Sequence, residues 1–176
     1  MAGTAGSEPT ALRAVAELAV LPLLHACGRR WAARAPVAWQ PGYCPICGAW
    51  PTLAESRGVE RTRRLRCARC GDWATDWLRC PYCDAREHTR LGSLVAHGSA
   101  ERRRVEVCRA CQGYLKTLTV LQGSPPADVM LDDLASVDLD VAARGAGFTR
   151  PPGPGYRLGA RVVEAPGLAR RLAWRA

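Results

Sequence analysis

The stretch GYCPICGAW, residues 42–50, places two cysteines three positions apart on a short Pro- and Gly-containing loop. The same C-x2-C spacing returns in CARC (67–70), CPYC (80–83) and CRAC (108–111), so eight of the nine cysteines stand in such pairs. A pair at this spacing can turn both sulfurs to one side of a tight loop. Two facing loops then give the tetrahedral four-sulfur coordination that zinc and rubredoxin-type iron prefer. The repeated spacing therefore predicts bound metal.

The lengths between the pairs indicate how they combine into sites. Nineteen residues separate the first pair from the second and 24 separate the third from the fourth, whereas only nine separate the second from the third. The longer separations suit a hairpin that closes its own site, and the short one suits a link between two modules. A crossed arrangement, in which the first pair joins the third, stays open. Sequential pairing predicts one metal site at Cys44, Cys47, Cys67 and Cys70, and a second at Cys80, Cys83, Cys108 and Cys111.

The segments between the cysteines alternate polar and apolar residues, as half-buried strands do. Two Gly-containing turns, at 56–60 and 97–101, each lie between two such segments. The predicted strands are 52–55 and 64–66 around the first turn, and 91–97 and 104–107 around the second. The region is thus a loose internal repeat in which a hairpin lies between two cysteine pairs.

The first 38 residues are predicted to be mainly helical. Ser7 and Pro9 mark a helix start, and Pro22 breaks the run because proline lacks a backbone N–H. Cys27 has no partner at the C-x2-C spacing and is predicted to be a small buried hydrophobe. The apolar face of the first helix comprises Leu12, Val15, Leu18 and Ala19, and one side of a second helix comprises Leu23, Leu24, Cys27 and Trp31.

Residues 123–176 are predicted to begin with a helix and to end irregularly. Asp128 is a candidate N-cap, and Gly145 and Gly147 end the helix. Asp132 and Asp133 lie off its apolar stripe, on a solvated face. That stripe comprises Met130, Leu134, Val137 and Val141. The last twenty residues show little pattern, and we expect them to be poorly ordered or to depend on a partner.

Together these patterns predict a small metal-bound α+β protein with two tandem rubredoxin- or zinc-ribbon-like modules flanked by helices. Because a small hairpin has little core of its own, loss of a metal should unfold its module. The predicted domains are an N-terminal helical segment (1–38), the metal-binding region (39–122, with modules 39–76 and 77–122) and a C-terminal helix with an irregular tail (123–176).

The composition of the chain indicates the compartment in which it works and the role of its paired cysteines. The 176-residue chain has a net charge of +9, and 24 of its 25 basic residues are arginine. Residues 1–10 lack the basic and apolar segments of a secretory signal, and the apolar run 14–27 is too short to cross a bilayer. We therefore expect a cytoplasmic protein without membrane insertion. In a reducing compartment paired cysteines favour metal binding over disulfides, and a thioredoxin-like redox motif would need an alternating β/α chain.

The sequence offers no arrangement typical of an enzyme. A closed four-sulfur site leaves no position for water or substrate, and neither a Ser/His/Asp set nor a phosphate-binding Gly loop is recognisable. Nucleic-acid binding stays open, because arginine clusters on zinc ribbons contact phosphates, although such clusters also form ordinary solvated faces. The two clusters are Arg61, Arg63, Arg64, Arg66 and Arg69, and Arg102, Arg103 and Arg104.

The cysteine pairs and their neighbours carry a family resemblance from about residue 21 to about residue 151. In order, GYCPICGAWPTLAE, RRLRCARCGDW, RCPYCDAREH, VEVCRACQGYLKTL and DDLASVDLD resemble the formate dehydrogenase accessory protein family, FdhE. Zinc ribbons in general share the pairs but not the segments that follow the last one. Members of the family carry a longer helical region before the first pair than the 43 residues here.

The resemblance implies a cytoplasmic assembly factor that binds the catalytic subunit of formate dehydrogenase and supports its maturation. It also implies that the eight paired cysteines hold about two metal ions in rubredoxin-like sites, with iron a serious candidate beside zinc. Alternative functions are a zinc-ribbon nucleic-acid binder and a rubredoxin-like electron carrier. The partner-contact residues that the resemblance suggests are Tyr114, Lys116, Asp132 and Asp133. For Tyr114 and its neighbour Leu115, the alternative to partner contact is packing beneath the second module.

Overall fold

The structure is a computed structural model of the chain, and it describes residues 8–36, 38–76, 78–95 and 102–156. Within these ranges the fold is α+β, with two helices, six strands and two more helices in chain order. The helices are α1 (Glu8–Ala19), α2 (Leu21–Trp31), α3 (Val129–Leu134) and α4 (Val137–Gly145). The strands are β1 (Leu53–Arg57), β2 (Thr62–Cys67), β3 (Gly71–Ala74), β4 (Leu91–Leu94), β5 (Arg103–Cys108) and β6 (Gly113–Val120).

All six described strands form one sheet in the order β3-β2-β1-β6-β5-β4. Each half of the sheet is an antiparallel unit of three consecutive strands. The halves meet where β1 runs parallel to β6, with Ala54 opposite Thr117 and Arg57 opposite Val120. The predicted tandem modules are therefore present as the two halves of one continuous sheet. The exact domain boundaries given above stay a prediction.

The core is small, and one of its clusters is built around the cysteines of the first metal-binding half. Ala54 and Leu65 of the first half and Leu115 of the second are almost fully buried, and they pack in one cluster with thiols of the first group and with Trp73. On the opposite face of the sheet, Val105 packs with Leu139 of α4 in a second cluster. The sheet thus has cysteine loops on one face and the C-terminal helices on the other.

Two strands went unrecognised in the sequence, namely β3 and β6. In β6, alternate side chains face opposite sides of the sheet and both sides are buried, so the strand lacks a polar face. Lys116 and Thr117 are fully buried there. Because both residues are polar, a search for alternating apolar residues does not identify the strand. The predicted turn at 97–101 lies outside the described residues.

The N-terminal helices begin and end close to the predicted points, but their buried faces differ from the prediction. Leu23 and Trp31 are exposed, whereas Leu24 packs on the core and Gly28 is buried. A Cβ atom at Gly28 would collide with the Cys70 carbonyl, so α2 approaches the cysteine loop closely at this point. The predicted face of α1 is likewise exposed, and Ser7 lies outside the described residues. No helix in the described ranges is long and apolar enough to cross a membrane.

The C-terminal region contains two short helices where the sequence predicts one. The helix is interrupted at Ser136, whose buried hydroxyl donates to the Asp132 and Asp133 carbonyls. Leu139 and Ala143 pack on the sheet, and Asp133 and Asp140 lie on the same inner face, where they pair with the buried Lys116. Three of the four residues of the predicted apolar stripe are exposed rather than packed on the core, namely Leu134, Val137 and Val141. The last twenty residues, 157–176, lie outside the described part of the chain.

Candidate metal centres

The structure brings the paired cysteines together in two groups of four thiols. One group is Cys44, Cys47, Cys67 and Cys70, and the other is Cys80, Cys83, Cys108 and Cys111. Within each group all four Sγ atoms lie within 4.8 Å of one another. These are the sets that sequential pairing predicts, and the crossed arrangement is not the one observed. Cys27 belongs to neither group in the described residues and is partly buried.

The sulfur positions fit a tetrahedral ion. Four metal–sulfur bonds of about 2.3 Å in tetrahedral geometry place the sulfurs about 3.8 Å apart. The Cys47 and Cys67 sulfurs are 3.6 Å apart, and in the second group both the Cys80–Cys111 and the Cys83–Cys108 sulfurs are 3.7 Å apart. Each group can therefore hold one ion. Thiolate donors suit zinc and iron alike, so the geometry leaves the identity of the metal open.

A local backbone feature repeats after the second cysteine of three of the four pairs. Gly48, Asp84 and Gln112 follow Cys47, Cys83 and Cys111, and their φ angles are +70°, +63° and +55°. This left-handed residue reverses the chain, and the loop closes with hydrogen bonds such as Cys44 N–H to the Ala49 carbonyl at 2.8 Å and Cys80 N–H to the Ala85 carbonyl at 2.9 Å. The reversal turns backbone N–H groups toward the sulfurs, which favours thiolate.

Charge within the groups favours a bound cation. Burial alone would raise the pKa of Cys108, but hydrogen bonds from the backbone N–H groups of Cys111 and Ala110 outweigh it and lower that pKa. In the first group, hydrogen bonding to Cys44 lowers the pKa of Cys47 and raises that of Cys70, so the thiols share protons among themselves. Four adjacent thiolates repel one another, and a divalent ion offsets this repulsion while releasing the remaining protons.

The two groups differ in their access to solvent. Cys44, Cys67 and Cys70 are buried beneath α2 and the core, and Cys47 is partly buried. In the second group Cys83 and Cys111 are exposed. The first site is therefore enclosed, whereas the second presents two sulfur-bearing residues at the surface.

The two sites are connected through Tyr82, which lies inside the third cysteine pair. Its hydroxyl donates to the Tyr114 carbonyl at 2.9 Å, and its ring meets Trp50 edge-on with centroids 5.3 Å apart. Burial raises the pKa of Tyr82, so it stays a neutral donor. Gly42 beside the first pair approaches Pro81 so closely that a Cβ atom would collide with it. The cysteine loops of the two halves thus pack against each other.

Residues 78–154, which contain the second site and the C-terminal helices, match the family model described as FdhE, C-terminal domain. This segment therefore resembles the C-terminal domain of the FdhE family. An FdhE homologue from Pseudomonas aeruginosa is 33% identical over 114 residues, which cover 61% of this chain and 37% of that protein. A homologue from Pseudomonas putida is 35% identical over 133 residues, which cover 70% of this chain and 39% of that protein.

A solved FdhE structure shares the fold. The crystal structure of the FdhE protein from Pseudomonas aeruginosa matches with a TM-score of 0.54 and 32% identity, covering 70% of this chain and 44% of that one. The chain thus spans less than half the length of the FdhE relatives that it matches.

The predicted partner-contact residues lie mostly inside the fold. Tyr114 and Lys116 are buried, and Asp133 is partly buried. Lys116 Nζ lies 2.7 Å from Asp133 Oδ1 and 2.7 Å from Asp140 Oδ2, and the Tyr114 hydroxyl donates to Asp140 Oδ1 at 2.8 Å. Asp132 is partly buried, and its Oδ2 has no hydrogen-bond partner in the described structure. Direct contact of these four residues with a partner stays a prediction.

Asp140 and Arg150 complete this network, and no sequence pattern singled them out as functional residues. The Arg150 guanidinium lies 2.9 Å from Asp133 and 2.8 Å from Asp140. Burial alone would raise the pKa of Asp140, but hydrogen bonds from Lys116 and Tyr114 and the nearby cations hold it below its usual value. The network therefore fixes α3 and α4 on the FdhE-like sheet.

The arginine clusters that suggested phosphate binding are largely neutralised. Arg63 and Arg66 are buried and form ion pairs with Glu106 and Glu55. Three more members of the clusters have carboxylate partners, namely Arg64 with Asp72, Arg103 with Asp138 and Arg104 with Glu106. Paired and buried guanidinium groups are poorly available to a nucleic-acid backbone, so the structure weakens that alternative.

Proposed function

We propose that this chain is an accessory protein that supports the maturation of formate dehydrogenase by binding its catalytic subunit in the cytoplasm. The proposal rests on the match of residues 78–154 to the FdhE C-terminal domain. Two four-sulfur groups in the halves of a single sheet support a binding scaffold rather than a catalyst, because a closed tetrahedral site leaves no position for substrate.

The scaffold holds about two metal ions, of rubredoxin-type iron or of zinc. Coordination would contribute folding free energy, since three thiols of the first group are themselves part of a core cluster. In this role the metals fix the positions of the cysteine loops and of the helices that pack on the sheet. The partner then recognises a preformed surface.

A rubredoxin-like electron carrier is the second candidate. The exposed positions of Cys83 and Cys111 favour it, because electron transfer requires a metal site close to the surface. This role needs iron that cycles reversibly between the ferrous and ferric states with a partner. Zinc has no redox chemistry, so a zinc-loaded native protein would exclude it.

Co-purification from the native host tests the accessory role. A tagged chain is expected to retain the formate dehydrogenase catalytic subunit, and deletion of its gene is expected to lower formate dehydrogenase activity. Cys80→Ser should abolish the rescue of that activity, whereas Cys27→Ser, outside both thiol groups, should restore it. Rescue by both variants, or no loss on deletion, would contradict the proposal.

A further inference from the structure

The outward face of α3 and α4 carries four exposed aliphatic side chains, here termed the α3–α4 stripe. They are Leu131, Leu134, Val137 and Val141, with 63%, 67%, 56% and 68% of their surface exposed. Single exposed aliphatic residues are ordinary, but four at successive three- and four-residue steps form a continuous apolar surface. Such a surface is typical of a protein interaction site.

The fold does not need this stripe for its own packing. The opposite face of the two helices already supplies Val129, Leu139 and Ala143, all buried, to the core. Lys116 and Arg150 hold the same face through Asp133 and Asp140. The outward aliphatic residues are therefore surplus to the contacts that keep the helices on the sheet.

The charge around the stripe is opposite to that of the whole chain. Residues 126–145, which include both helices, contain five aspartates and one basic residue, Arg144, in a chain with a net charge of +9. Asp133 and Asp140 are neutralised on the inner face. Asp128 is exposed and has no ion pair within the described structure, and the exposed Asp138 has one, a contact with Arg103. The surface is thus an apolar strip bordered by carboxylates.

We infer that the α3–α4 stripe is the docking site for a segment of the partner protein in which apolar anchors alternate with lysine or arginine. This inference rests on the proposed function, since it takes the partner to be the formate dehydrogenase catalytic subunit. The anchors cover the four aliphatic side chains, and the basic residues pair with the aspartates at the rim. Such a contact loses affinity as salt rises, because its rim charges are solvated.

Binding of the full, metal-loaded chain to the purified catalytic subunit tests the inference. Leu134→Ser and Val141→Ser are each expected to weaken binding by about tenfold, as loss of a central apolar anchor does. Val59→Ser is the matched control, because Val59 is 95% exposed and lies in the turn between β1 and β2. The double variant Asp128→Asn, Asp138→Asn is expected to weaken binding by about threefold and to reduce its salt dependence. Unchanged metal content and circular dichroism would show that the variants fold.

The outcomes separate the inference from the proposed function. Absence of binding by the unaltered chain would overturn both. Tight binding by all variants would overturn the inference alone and leave the accessory role intact. If Leu134→Ser instead converts a dimer of this chain into monomers, a second copy covers the stripe and the inference is wrong. If a chain ending at Tyr156 binds the partner more tightly than the full chain, residues 157–176 compete with the partner. The inference is then supported if Leu134→Ser weakens binding by the shorter chain, and it is overturned if that binding is unchanged.

Discussion

The guanidinium of Arg63 in the first half of the sheet lies 2.5 Å from the carboxylate of Glu106 in the second. The Arg63 side chain is 1% exposed and also donates to the Asp76 and Arg79 carbonyls. This ion pair crosses from one metal-binding half to the other. It therefore adds a polar contact to the backbone pairing of β1 with β6.

Removal of the Glu106 charge is expected to destabilise the protein. Glu106→Gln leaves the buried Arg63 without its counter-ion, and the free energy of unfolding should fall by about 2 to 3 kcal/mol, somewhat less than for a fully buried pair. Urea unfolding of metal-loaded protein measures the change. Glu87→Gln is the control, since Glu87 forms an exposed pair with Arg90, and its expected cost is under about 1 kcal/mol. Equal effects of the two variants would contradict the structural role of the Arg63–Glu106 pair.

Loss of one thiol should remove one ion. Cys44→Ser is expected to lower the metal content from about two ions per chain to about one or fewer, because three thiolates hold a structural ion poorly. Cys27→Ser, which changes a thiol outside both groups, should keep the full content. Elemental analysis of purified protein measures both. Full metal content in Cys44→Ser would show that Cys44 is not a ligand.

The left-handed backbone at Gln112 predicts a stabilising substitution. Its φ of +55° is unfavourable for a side chain with a Cβ atom, whereas glycine adopts it freely. Gln112→Gly is expected to raise the free energy of unfolding by about 0.5 to 1 kcal/mol, net of the glycine's greater freedom in the unfolded chain. Gln112→Ala removes the same side chain without relieving the backbone, so it should give no gain. A gain in both variants would place the benefit in the side chain instead.

Tyr114 predicts a loss of stability at alkaline pH. Burial and its hydrogen bond to Asp140 raise its pKa above the ordinary value of 10.0. A tyrosine whose pKa is higher in the folded state contributes its full stability below the unfolded pKa and loses it as pH rises through the folded one. The urea midpoint should therefore fall between about pH 10 and the pKa of the folded state.

Tyr114→Phe is the comparison for this pH effect. The variant should be less stable near neutral pH, because Asp140 loses a hydrogen bond, but its midpoint should fall less steeply above pH 10. Parallel curves for the two proteins would contradict the assignment of the alkaline loss to Tyr114.

The thiol groups were predictable because their geometry is encoded locally. A C-x2-C pair fixes two sulfurs on one loop. In the first pair the following residue is a glycine, Gly48, which indicates the chain reversal from the sequence alone. The hairpin lengths then indicated which pairs meet. The family resemblance of the flanking segments agrees with the match of residues 78–154 to the FdhE C-terminal domain.

The helical faces and the central strand were not predictable in the same way, because they depend on distant partners. A lysine such as Lys116 is ordinarily expected at the surface. Here it is buried because Asp133 and Asp140 of the C-terminal helices neutralise its charge. Leu134 and Val141 are exposed because the inner face of the two helices carries Asp133 and Asp140, which pair with Lys116 and Arg150. In each case the burial of a side chain is decided by residues far away in sequence.

The parallel pairing of β1 with β6 has a consequence for synthesis on the ribosome. Ala54 and its partner Thr117 are 63 positions apart, so β1 has an unpaired edge until the last strand has emerged. An unpaired strand edge is a template for pairing with other chains. The first cysteine group can gather on its own hairpin, yet its sheet is completed only when the second has formed. Nascent chains are therefore most prone to aggregation after β1 has been synthesised and before β6 has been. Early metal binding at the first site would order its hairpin and so reduce the time for which the edge of β1 is available to other chains.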